Sequence, residues 1–271
     1  MNCYFDTSIY NHILDDPKKE LIIEIIKSMG IRAIPSVVNL CEILFTPDED
    51  RKQRLLNIYN EIRDDYHALK PFTELLRDAT MGVQKNEDEM KVNMPIPING
   101  DTKEICEKAL SNAGEEFDKY ALKARDWVFT SQGKKKLPDV KTFFEISDDE
   151  NMRPTWIKLF RGACDGLGIK ELSLNEETIM RFITDINSPW KYYLDTTLLI
   201  FYRRALSTAK YGRKTNPGGA DLQQGIYLCW ADIFVIKDGR FYEFMKELKS
   251  LRNYNKEIFT HDEFKDFLGI G

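Results

Sequence analysis

The residues best suited to chemistry in this chain are carboxylates, and four of them fall where an α/β protein presents its ligand-binding groups. Asp6 directly follows the first strand candidate, Asn2–Phe5. Glu42 lies one to two turns into a helix that follows the second, Ile31–Pro35. Asp221 opens the helix ahead of a late β-type run, Ile233–Ile236, and Asp238 follows that run after one lysine. In open parallel sheets ligands bind beyond the carboxyl ends of the strands, so acids at those ends are the ones to weigh. The only histidines are His12, His67 and His261, and nothing in their spacing brings two of them together. Cys3, Cys41, Cys106, Cys164 and Cys229 are scattered, with no CxxC. Any metal chemistry must therefore rest mainly on carboxylate oxygens, which suit a hard cation.

Each acid also has a plain structural role open to it. Asp6 precedes Thr-Ser-Ile-Tyr and is a good helix N-cap; Asp221, after Pro-Gly-Gly-Ala, is another. Asp238 precedes Gly239 and suits a turn. Glu42 stands in the apolar run Val37-Val-Asn-Leu-Cys-Glu-Ile-Leu-Phe, where a buried charge is costly unless it is paired or binds a cation. Its alternative is an exposed stripe shared with Asn39, three residues earlier on the same helical face. Asp232 is set aside, because it enters the late strand and so belongs at the opposite end of the sheet from Asp6.

The elements that must position these acids follow from hydrophobic spacing. Thr7–Leu14 reads as a short helix, and Pro17 opens a second that Gly30 stops. Ser36 is a plausible N-cap for a helix through Phe45, and Thr46 starts another to about Asp65. Late in the chain, Asp221–Trp230, Phe241–Leu251 and Asp262–Leu268 read as helices, with Ile233–Ile236 and Glu257–Thr260 as strands. This alternation predicts an α/β fold with a parallel sheet flanked by helices. From about Phe72 to Pro189 strand character is low. Helical patterns run through Thr102–Val128, Thr155–Cys164, Asn175–Asp185 and Trp190–Ala209. The expected organisation is one domain over residues 1–271, with a core of 1–65 and 210–271 and a mostly helical insertion at about 70–209.

Composition narrows the classes. The 271 residues are 42% hydrophobic and 31% charged with a net charge of −5, which excludes a disordered chain. No apolar run is long enough to span a membrane, and the start lacks a signal peptide's basic and apolar regions, so a cytoplasmic protein without membrane association is expected. The cysteines read as buried free thiols. Net acidity argues against nonspecific nucleic-acid binding. One run nevertheless holds Arg203, Arg204, Lys210, Arg213 and Lys214, interleaved with Tyr202 and Tyr211. It could contact phosphates and stack a base, or be a solvated helix end. The stripe Trp190, Tyr192, Tyr193, Phe201 and Tyr202 reads as helix core.

Three segments carry a family resemblance: Tyr4-Phe-Asp-Thr-Ser-Ile-Tyr, Ile34-Pro-Ser-Val-Val-Asn-Leu-Cys-Glu-Ile-Leu, and the stretch from Gly219-Ala-Asp to Ile236-Lys-Asp. In that order they resemble PIN-domain proteins, metal-dependent ribonucleases that include many bacterial toxins. The resemblance implies a PIN-like fold in which Asp6, Asp221 and Asp238 are the main ligands of Mg²⁺ or Mn²⁺. Glu42 would bind the ion or orient its water, and Ser8 would support the site as a hydrogen-bond donor. The implied reaction is hydrolysis of an RNA phosphodiester by in-line attack of water. The implied partners are RNA and a protein inhibitor of the antitoxin kind, with a homodimer as a further association. A non-catalytic PIN-like module that holds RNA or protein is the alternative. Ile236 stands where such families often carry Thr, and the Glu42–Asp221 span is far longer than in a minimal PIN domain. A haloacid-dehalogenase phosphatase would need Asp at position 8, where this chain has Ser.

Overall fold

The structure, a computed structural model, describes residues 1–63, 67–85, 91–93, 138–166, 169, 174–206, 224–237 and 239–271. The strands are β1 (Asn2–Phe5), β2 (Arg32–Ala33), β3 (His67–Leu69), β4 (Lys91–Asn93), β5 (Ile233–Val235) and β6 (Glu257–Phe259). The helices of the first part are α1 (Thr7–Asp15), α2 (Lys19–Ser28), α3 (Val37–Leu44), α4 (Glu49–Ile62) and α5 (Phe72–Lys85). They are followed by α6 (Val140–Ser147), α7 (Arg153–Gly166), α8 (Glu176–Thr184), α9 (Pro189–Leu206), α10 (Arg240–Arg252) and α11 (His261–Phe267).

Four strands form a parallel sheet in the order β2-β1-β5-β6. Cys3 lies opposite Ala33 on one side and Ile233 on the other, and Phe5 lies opposite Val235. Past β2 the chain returns alongside in parallel bridges, Ala33 to Arg63 and Ser36 to Leu69. β2 is shorter than the apolar run Ile31–Pro35 suggests: Ile34 still donates to the Cys3 carbonyl at 2.8 Å, and Pro35 has no N–H to continue. β3 and β4 form a separate antiparallel pair that the hydrophobic spacing did not anticipate.

Residue alternation divides the interior into two layers. Cys3, Phe5, Ile233 and Val235 face a core built with α1, α2, α3, α4 and Phe264 of α11. Tyr4, Phe234 and Ile258 face the other, with α5 to α10. The helices of the middle segment thus close the second face of the sheet and share a core with β1. Trp190 of α9 is fully buried there, its ring centroid 4.4 Å from Phe160 and its indole N–H 2.9 Å from the Thr80 hydroxyl.

Local signals set the element ends. Asp48 caps α4 by accepting from the Arg51 N–H at 2.8 Å, and Asn175 caps α8 by accepting from Thr178 at the same distance. Gly30 follows α2 at φ +64°, a conformation that L side chains rarely adopt. In place of the expected α-helix through Trp230, Gly225–Cys229 form a 3₁₀ turn. The segment Thr102–Val128 lies outside the described residues. Cys3 and Cys164 are buried free thiols, as expected; Cys229 is free but only partly buried, and Cys41 is disulfide-bonded, a pairing that sequence separation could not reveal. Among the described residues no helix is long and apolar enough to cross a membrane.

Candidate functional site

β1 and β5 are neighbours whose following connections diverge. The chain leaving β1 crosses to β2 on one side, and the chain leaving β5 crosses to β6 on the other. Where strand order reverses in this way, a crevice opens beyond the carboxyl ends. Asp6 stands at that point, its N–H donating to the Val235 carbonyl at 2.9 Å.

Asp6 fulfils the capping role that its sequence context allows. It is the N-cap of α1, and its Oδ2 accepts from the Ser8 N–H at 3.3 Å and from the Ser8 hydroxyl. Ser8 thus donates to Asp6 from both its backbone and its side chain. Both bonds fall on one oxygen, and among the described residues Oδ1 accepts none. Asp6 is half-buried, and its capping bonds use one of its two oxygens.

Glu42 is half-buried on α3, one turn beyond Asn39. Asn39 is not part of an exposed stripe. It is fully buried, and its carboxamide bonds residues on both sides of Asp6: Nδ2 donates to the Phe5 carbonyl and to the Thr7 hydroxyl, each at 3.1 Å. Its Oδ1 accepts from the Ser36 N–H at 3.0 Å, while its own N–H donates to the Ser36 hydroxyl at 3.1 Å. This is a capping box that starts α3 and fastens it to the β1–α1 corner.

Tyr4 links a third segment to this corner. Its buried hydroxyl is 3.0 Å from the Ser36 hydroxyl and donates to Gln224 Oε1 at 3.2 Å. Burial lifts the Tyr4 pKa well above its ordinary value, the adjacent Tyr227 adds to this, and the Ser36 hydrogen bond opposes it. The charges of Asp6 and Glu42 both push it further in the same direction.

Asp221 and Asp238 lie outside the described residues. Asp232 accepts from the Asn2 N–H at 2.8 Å, at the amino end of β1, as its exclusion requires. Of the basic run, Arg203 is committed to structure: Nε donates to Glu247 Oε2 at 2.9 Å, and its guanidinium lies 5.2 Å from the Phe244 ring centroid, joining α9 to α10. The side chain of Arg204, and Lys210, Tyr211, Arg213 and Lys214 entirely, lie outside the described residues. Tyr202 offers no stacking face; it is buried against Phe143 at 5.0 Å, and its hydroxyl donates to the Pro138 carbonyl. Trp190 and Tyr192 are buried, as core residues should be. Two histidines do meet: His12 and His261 stack at 5.4 Å, brought together because α1 and α11 cover the same face of the sheet.

Sequence reasoning missed Asn39, Gln224 and the Tyr4 hydroxyl. The signal for Asn39 was Ser36 three residues before it, a spacing that suits a capping box. Nothing local marked the other two.

Among the described residues no group of three or more His, Cys, Asp or Glu is placed to hold a metal ion. What they contribute is oxygen donors alone, Asp6 and Glu42, and such a pair fits a hard divalent cation better than a soft one. Comparison of the chain with family models, with curated proteins and with solved structures finds no match.

Proposed function

We propose that the chain is a metal-dependent ribonuclease with a PIN-like fold, acting at the carboxyl end of β1. The observation that supports this most is geometric: Asp6 stands where strand order reverses, and the helix that carries Glu42 is fastened on both sides of it through Asn39. In this reading Asp6 and Glu42 hold Mg²⁺ or Mn²⁺ together with Asp221 and Asp238, the two acids that the family resemblance adds. A divalent ion held there supplies an acidified water and a counter-charge for phosphoryl oxygens. Ser8 fixes one oxygen of Asp6 and leaves the other for the cleft. With Arg203 paired to Glu247, RNA phosphates are left to Arg204, Lys210, Arg213 and Lys214. A protein inhibitor covering the acidic cleft fits the same reading.

Cleavage of labelled RNA in Mn²⁺ tests it, with Asp6→Asn and Glu42→Gln compared against wild type. Asparagine is also a good N-cap, so Asp6→Asn should preserve α1. Each substitution is expected to lower the rate by about 10²–10³, the usual loss when a transition-state charge partner is removed. Undiminished cleavage in both variants would overturn the proposal. Wild-type chain that binds RNA and cleaves none would favour the non-catalytic module instead.

A further inference from the structure

We infer that Asn39 is a positioning residue for the acidic site, setting Glu42 against Asp6; this rests on the ribonuclease reading above. A carboxamide offers two N–H donors and one oxygen with two lone pairs. Both donors are used, and the oxygen accepts from Ser36. The donors go to Phe5 and Thr7, the immediate neighbours of Asp6. The oxygen takes the Ser36 N–H at 3.0 Å and lies 2.9 Å from the Ser36 hydroxyl. One side chain therefore grips the backbone just before Asp6, the side chain just after it, and the cap of the helix that carries Glu42. Residues three apart share a helical face, so the grip is one turn from Glu42. No other side chain of this size supplies the set: aspartate cannot donate to the Phe5 carbonyl, and serine or alanine cannot span both sides. The Tyr4 hydroxyl backs the arrangement through Ser36 and extends it to Gln224, three residues past Asp221.

Asn39 touches neither substrate nor ion in this account; it acts through Glu42. That distinguishes it from a residue needed only for folding. Binding of Mn²⁺ alone to the full chain, followed by calorimetric titration or by the spin resonance of free Mn²⁺, reads the difference. Asn39→Ala is expected to weaken binding about 10–100-fold, the usual effect of losing a group that orients a ligand. In a Glu42→Gln background the same substitution should leave Mn²⁺ affinity unchanged while still lowering the melting temperature. Thr7→Val, which deletes one of the acceptors, should weaken binding less and keep the fold.

Equal Mn²⁺ affinity in folded Asn39→Ala would overturn the inference, and so would an undiminished penalty when Glu42 is already glutamine. If Asn39→Ala does not fold, unchanged affinity in Thr7→Val overturns it. Wild-type chain that binds no Mn²⁺ overturns the ribonuclease reading and this inference with it; wild type that binds while Asn39 proves neutral overturns the inference alone.

Discussion

At Tyr4 one phenol meets two other segments: Ser36 on one, and on the other Gln224 with the ring of Tyr227 stacked at 4.9 Å. Tyr4→Phe keeps the ring and deletes the hydroxyl, leaving buried Gln224 Oε1 without that donor. The expected loss is about 1–3 kcal/mol, the cost of stranding a buried polar group, measurable by urea unfolding. Single residues differed in how plainly they announced themselves. Asp6 and Ser36 could be read as caps because capping is a contact within three residues. Asn39 was misjudged because its partners Phe5 and Thr7 are more than thirty positions away, and a polar residue in an apolar helix looks the same whether it faces water or a distant carbonyl.

Among elements, the parallel sheet was legible and its second layer less so. β1, β5 and β6 were readable because each places large apolar residues shortly before a helix start. The β3–β4 pair and α6 were not: His-Ala-Leu and Lys-Val-Asn hold too few large apolar residues to stand out, and α6 depends on Asp139 accepting from Thr142 at 3.0 Å. α9 binds the second layer together. Trp190→Ala is expected to cost about 3–5 kcal/mol, because it removes a fully buried ring and leaves the Thr80 hydroxyl without its indole donor. Arg203 belongs to the same layer. If it ties α9 to α10 and does not touch RNA, Arg203→Gln should leave the salt dependence of RNA binding unchanged, whereas a phosphate contact would reduce the slope.

For the molecule as a whole, α11 rests on α1 through a small ionic cluster. His261 stacks on His12, its Nε2 is 3.3 Å from Asp16, and Lys265 reaches the same carboxylate at 2.6 Å. Burial holds the His261 pKa below its ordinary value, the Asp16 hydrogen bond opposes this, and His12 adds to the depression. The folded chain thus takes up that proton less readily than the unfolded one. The contribution to stability is full above the unfolded value of about 6.5 and declines as the pH falls below it. Asp16 behaves differently: burial raises its pKa, but bonds from Lys265, the Lys18 N–H and His261 outweigh that and hold it low. Its contribution persists until the pH falls below the usual carboxylate range of about 4. Urea midpoints are therefore expected to drop in two stages on acidification, and His261→Gln should abolish the first.

The centre of the sheet also joins the start of the chain to a strand more than two hundred residues later, with Asn2 bonded to Asp232 and Asp6 to Val235. During synthesis β1 emerges well over two hundred residues before β5, and its edge toward β5 has nothing to pair with until residues 233–235 are made. An unpaired apolar edge is a hazard to a nascent chain, and a contact of such long range is slow to form. The same delay would act as a safeguard in a nuclease: polypeptides stalled on the ribosome before Ile233 would hold Asp6 and Glu42 but no finished cleft, and are expected to leave RNA intact.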